Sequence, residues 1–275
     1  MKTRHHEHDD HHDDFGGLQR DLGAIGAAID RRGMLRLAAR FGVGAGALTL
    51  IGCGSTPASP DETGSSGACS SRMPEETAGP FPADGSNGPT VLSASGVVRG
   101  DIRSSFAGLS GQADGAPLTL VLTLVSSSTC SPLAGRAVYL WHCDRLGRYS
   151  LYSSGVTNQN YLRGVQEADA NGRVTFTTIY PGCYAGRWPH IHFEVYPSLS
   201  AATNVANKNA TSQIALPKAT NDVVYASSGY ESSVQNAAQV SLASDGVFSD
   251  GASLELATVT GTLASGLTAA LTIAV

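Results

Sequence analysis

Two of the three histidines outside the N-terminal tail, His190 and His192, stand one residue apart in the stretch HIHF. In an extended strand, residues i and i+2 project from the same face, so the two imidazoles aim at one point. Neutral imidazole is the commonest protein metal ligand, although two polar residues on an exposed strand face would give the same pattern. His142, the third histidine, would complete a three-histidine zinc site. Glu194, further along the same face, would complete a two-histidine, one-carboxylate iron or copper site. The neighbouring residues favour another set. Tyr184 lies six positions before His190 in the Gly/Pro-rich stretch YPGCYAGRWP, and Tyr149 ends a strand-to-turn passage, WHCDRLGRYS. Two phenols and two imidazoles form a hard, partly anionic donor set that suits Fe(III) better than Zn(II).

Positioning such a set requires short, well-ordered strands, and the composition agrees. Hydrophobic residues make up 41% of the 275 residues and charged residues only 15%, with 32 glycines. That balance suits β-structure better than long helices. Alternating or apolar runs predict strands at GVVRGDI, PLTLVLTLVSS, RAVYLWHC, RVTFTTIY, HIHFEVY, TSQIAL, DVVYA, SLELATVTG and TAALTIAV. Asn171-Gly172 predicts a hairpin turn, and only ESSVQNAAQV reads as a brief helix. The expectation is an all-β fold, an antiparallel β-sandwich with few or no long helices. The formal charge of −5 includes no basic stripe, which argues against a nucleic-acid partner.

The stretches GRYS, IYPGCYAGR and HIHF together resemble the intradiol ring-cleavage dioxygenases, non-haem ferric enzymes that open catechols between their two hydroxyls. The likeness runs from about residue 74 to residue 230. PEETAGPF resembles that family's N-terminal segment, PLAGRAVYLWHCDRLGRY its strand leading to the first tyrosine ligand, and TSQIALP its glutamine-bearing strand. By this resemblance Fe(3+) would be the cofactor, held by Tyr149, Tyr184, His190 and His192. Tyr184 would also take part in catalysis as a base, and Arg187 would stabilise charge on the ring. Gly79, Pro80 and Gln213 would line the substrate site, and Trp141 would match a tryptophan of the motif, where a core role fits equally well. A catechol-type aromatic and O2 would be the substrates and a cis,cis-muconate the product. The shorter spacing between Tyr184 and His190, and a cysteine at position 183 where relatives carry an aromatic, bear on substrate choice. Two other readings compete: a β-sandwich binding protein without turnover, and a zinc or copper protein using His142.

The N-terminal region reads as export machinery. HHEHDDHHDD holds five of the eight histidines among acids, as a solvated tail would. Arg31-Arg32 followed by Met34-Leu35-Arg36 resembles a twin-arginine signal, and the apolar run from Phe41 to Ile51 is shorter than the ~20 residues a bilayer span needs. It ends at LIGC, which predicts lipidation of Cys53 and attachment to the outer face of a bacterial cell membrane through that anchor alone. The expected organisation is a signal and tail over residues 1–52, a polar linker over 53–72 and the β-sandwich over 73–275. With Cys53 lipidated, Cys69, Cys130, Cys143 and Cys183 are left for one or two disulfides in an oxidising compartment.

Overall fold

The computed structural model describes residues 71–275. The signal segment, Cys53, Cys69 and nearly all of the linker lie outside the described residues. Eight strands form two four-stranded sheets that face each other. They are β1 (Pro117–Val125), β2 (Ala137–Trp141), β3 (Arg163–Glu167), β4 (Arg173–Ile179), β5 (His190–Tyr196), β6 (Ala210–Ala215), β7 (Thr258–Thr262) and β8 (Gly266–Ala274). One sheet has the order β4-β1-β8-β7 and the other β3-β2-β5-β6. Every pairing is antiparallel except β1 with β8, which run parallel from Leu118↔Leu267 to Val125↔Ala274.

The period-2 pattern decides what fills the space between the sheets. Leu118, Leu120, Leu122 and Leu124 of β1 face inward, with Val174 and Phe176 of β4 and Leu267, Ala269 and Ile273 of β8. Val138 and Leu140 of β2, Ile191, Phe193 and Val195 of β5, and Ile214 of β6 meet them from the other sheet. Burying this apolar area is the main favourable contribution to the fold, at roughly 25 cal/mol per Å².

The expected all-β sandwich is the observed fold, with local differences, among them strand β3, which was not expected. GVVRGDI makes only isolated bridges, Val98↔Val165 and Asp101↔Thr177, and no strand. DVVYA belongs to helix α1 (Lys218–Tyr225), which begins after Pro217 and buries Asn221, Val224 and Tyr225 at helical spacing. The β-branched Val223-Val224 pair suggested a strand, and packing overrode that propensity. Asn171-Gly172 does form a turn, in which Asp169 Oδ1 accepts the Asn171 and Arg173 amides at 2.8 and 2.9 Å. It joins β3 to β4, however, and these belong to opposite sheets, so the turn carries the chain across the sandwich and closes no hairpin. The expected helix at ESSVQNAAQV is α2 (Glu231–Ala238). Among the described residues no helix is long and apolar enough to cross a membrane. Cys130 is disulfide-bonded, whereas Cys143 and Cys183 are free and buried.

Candidate metal centre

The outward face of the β3-β2-β5-β6 sheet holds the site. Strand register places Arg163, Trp141, His192 and Gln213 in one row across the four strands, through the pairs Trp141↔Arg163, Trp141↔His192 and His192↔Gln213. His190 stands two residues before His192 on the same face. Trp141 is fully buried and stacks flat on His192, ring centroids 5.0 Å apart and planes within 4°. It therefore packs against one imidazole and sets its tilt.

The two tyrosines arrive from loops. Tyr149 follows β2 through a turn in which Asp144 Oδ1 accepts the Leu146 and Arg148 amides at 2.9 and 3.0 Å. Tyr184 follows β4, and α2 grips the residue before it: Ser233 Oγ accepts the Cys183 amide at 2.9 Å, and Asn236 Nδ2 donates to the Cys183 carbonyl at 2.8 Å. The two loops touch at two glycines. A Cβ on Gly147, whose φ is +80°, would sit 3.0 Å from Tyr184 Cβ, and one on Gly182 would sit 2.4 Å from the Arg145 carbonyl oxygen. Only glycine allows this approach, and the approach brings the phenols to the imidazoles.

Three donor atoms surround His190 Nε2. His192 Nε2 lies at 3.1 Å, Tyr184 Oη at 3.2 Å and Tyr149 Oη at 3.4 Å. Two donors each about 2.1 Å from one ion and about a right angle apart are about 3.0 Å from each other, so these separations suit the edges of one coordination shell. His190 Nδ1 is turned to the Trp188 carbonyl oxygen, which accepts its proton and leaves Nε2 as the lone-pair atom. A cation among the four atoms would be within reach of all of them. Burial holds both imidazoles well below the usual histidine pKa, and neutral imidazole is the ligating form. The donor set thus fits a hard trivalent ion. Among the described residues no group of three or more His, Cys, Asp or Glu side chains could hold a metal; here two of the four candidate donors are phenols.

His142 does not join this cluster. Its Nδ1 faces the Cys143 carbonyl at 2.8 Å and its Nε2 the Thr178 hydroxyl at 2.7 Å. This removes the three-histidine zinc or copper reading. Glu194 is also engaged elsewhere, accepting from Tyr196 Oη at 2.6 Å and Lys208 Nζ at 3.1 Å.

The other expected site residues gather beside the cluster. Gln213 is fully buried, accepts from Arg187 at 2.6 Å and donates through Nε2 to the Thr77 carbonyl at 2.8 Å. Thr77 Oγ1 in turn accepts the Gly79 amide at 3.0 Å, and the Pro80 carbonyl accepts from Asn87 at 2.6 Å. The same segment then lays the Phe81 ring against Tyr149, with centroids 4.9 Å apart.

Two residues at the site escaped the sequence reading. Arg163, 1% exposed, donates to the Phe81, Pro82 and Ser150 carbonyls, the Ser150 hydroxyl and Tyr139 Oη at 2.8–3.2 Å. It thereby staples the segment bearing Gly79 and Pro80 to the residue after Tyr149. Its one sequence signal was a cation within the apolar stretch YLRGV. Asp245 receives Arg187 Nε at 3.0 Å in an ion pair with side-chain exposures of 2% and 0%. It lies in SLASDGVFSDG, where no motif or periodicity marked it.

Known proteins share parts of this sequence and fold. A family model described as Dioxygenase matches residues 104–195. A solved intradiol ring-cleavage dioxygenase from Tetranychus urticae is 26% identical, with a TM-score of 0.60, over 74% of this chain and 94% of that one. A second solved dioxygenase is also 26% identical, with a TM-score of 0.59, over 74% and 93% of the two chains. The dioxygenase domain of a carbohydrate-binding fusion protein from Streptomyces sp. SirexAA-E is 20% identical with a TM-score of 0.48, over 74% and 98%. No curated protein matches the sequence. Together, the Dioxygenase family model over residues 104–195 and the solved intradiol enzyme at 26% identity support the intradiol ring-cleavage dioxygenase family.

Proposed function

We propose that this chain binds Fe(III) through Tyr149, Tyr184, His190 and His192 and cleaves a catechol-type aromatic between its two hydroxyls. Both atoms of O2 enter the product, a cis,cis-muconate. The observation that carries this reading is the gathering of two phenol oxygens and two imidazole nitrogens, three of them within 3.1–3.4 Å of His190 Nε2. A bound ferric ion would supply the redox and Lewis-acid chemistry that couples an electron-rich diol to O2.

The residues around it do the rest. Tyr184 is half-buried whereas Tyr149 is 1% exposed, so Tyr184 Oη is the phenol open to substrate and the base that takes a hydroxyl proton. Phe81, against Tyr149, offers a face to an aromatic ring. Gln213 and the Thr77–Pro80 segment fix the ring's position. Arg187 places a guanidinium where negative charge develops on the ring and stabilises it in a water-poor site. The twin-arginine pattern and LIGC support the same enzyme working outside the cell membrane, tethered through Cys53.

Iron-loaded protein is expected to be burgundy, from phenolate-to-Fe(III) charge transfer, and to take up O2 with at least one member of a catechol panel. Tyr149→Phe and His192→Ala are each expected to lose iron and turnover together. Variants that keep full iron occupancy and rate would overturn the ligand assignment. Coloured protein that consumes no O2 with any catechol would point to a binding protein instead.

A further inference from the structure

The proposed role of Arg187 needs its guanidinium to face the ring, and a buried cation will not hold that direction unaided. Desolvating an arginine costs several kcal/mol unless a carboxylate and well-aimed acceptors meet it. Asp245, fully buried, is that carboxylate. Its Oδ2 accepts Arg187 Nε at 3.0 Å and also the Trp188 backbone amide at 2.6 Å. Its Oδ1 accepts the Val247 and Phe248 amides at 2.8 and 3.1 Å, which fixes the carboxylate itself. Nη2, next to Nε on the guanidinium, donates to Gln213 Oε1 at 2.6 Å, and Gln213 passes on to the Thr77 carbonyl at 2.8 Å. The guanidinium is thus held by two buried acceptors, Asp245 and Gln213, and through Gln213 it is linked to the pocket segment. The Phe248 ring lies 6.0 Å from Arg187 Cζ and 6.5 Å from the His190 ring, closing the space behind them.

We infer that Asp245 is a positioning residue for the ring-cleavage reaction. It orients Arg187 toward the substrate and touches neither metal nor substrate itself. The inference rests on the function proposed above, and it adds a residue contributed from 58 positions along the chain, beyond the ligand strand.

Asp245→Asn keeps the size and one oxygen but removes the carboxylate. With the full-length, iron-loaded protein and its best catechol, kcat is expected to fall roughly 10²-fold with KM nearly unchanged, the signature of an interaction made only in the transition state. Iron content should stay at the wild-type level. Arg187→Met should lose a similar factor. The double variant Arg187→Met/Asp245→Asn should lose no more than Arg187→Met alone, because one residue acts through the other. The double variant also removes the stranded cation, so it tests the idea if Asp245→Asn alone fails to fold. Multiplying losses, an unchanged kcat in Asp245→Asn, or iron lost along with turnover would each overturn the inference. A second readout does not depend on activity. In the full chain loaded with diamagnetic Ga(III), the Arg187 Nε–H should give a slowly exchanging NMR cross-peak that Asp245→Asn abolishes. Persistence of that peak would overturn the inference even if wild-type protein turned over no catechol, whereas wild-type inactivity by itself would count only against the proposed function.

Discussion

Strands β1 and β5 lie in facing sheets and treat their side chains differently. β1 alternates, with four leucines turned inward and Thr119, Val121 and Thr123 left half-buried on the outside. β5 is buried at all seven positions, so His190, His192, Glu194 and Tyr196 are enclosed on the face away from the core. A strand with one wet face can carry polar residues at little cost. A strand with two dry faces must supply every polar side chain with a partner or a ligand. The second face of β5 is covered by the loops carrying Phe81, Tyr149 and Tyr184, and there the structure spends its buried polar groups: Arg163 on three carbonyls, Asp245 on Arg187, and Glu194 on Tyr196 and Lys208. Chemistry occupies the sheet face that has to be roofed over.

Substitutions can sharpen that contrast. The largest effect is expected on the roofed face. Arg163→Met strands the Phe81 and Ser150 carbonyls at about 1–3 kcal/mol each, while Tyr139 Oη still donates to the Pro82 carbonyl at 2.6 Å. It should therefore cost at least about 2 kcal/mol by chemical denaturation and weaken iron binding roughly 10–100-fold in a metal titration.

A smaller effect belongs to the interior between the sheets. His142 reaches from the end of β2 to Thr178 of β4, and burial lowers its pKa to about 4 from an ordinary 6.5. The unfolded chain therefore binds a proton there that the folded chain refuses. Stability is complete above about pH 6.5 and falls as pH drops toward 4, by up to about 1.4 kcal/mol per pH unit. Denaturation across that window should give a shallower slope for His142→Asn than for wild type. Equal slopes would mean that folding does not lower the pKa of His142.

The smallest effect is expected on the open face. Thr175 is exposed on β4 opposite Val121, and Thr175→Ala should change stability by no more than about 0.5 kcal/mol and leave O2 uptake untouched. A loss of activity there would show that the two sheets are coupled in a way that side-chain burial does not reveal.

What could be read from the sequence follows the same division. Period-2 alternation marked β1, β4 and β5, and the HxH spacing put two histidines on one face because a strand's geometry is local. β3 was missed because its RGVQE composition carries no such alternation. α1 was taken for a strand because burial, not propensity, fixes its helix. The four donor residues were legible through a resemblance spanning several motifs. Asp245 and Arg163 were not, because their partners lie 58 and about 80 residues away and no local pattern encodes such a contact.

The parallel pairing of β1 with β8 bears on how the protein is made. The strand at the centre of one sheet gains its second neighbour only from residues 266–274, roughly 150 positions downstream. A nascent chain halted before that point would expose an unpaired edge and a half-covered layer of leucines. Such long-range closure is slow to form, so the sandwich is expected to close only after its last strand has been made.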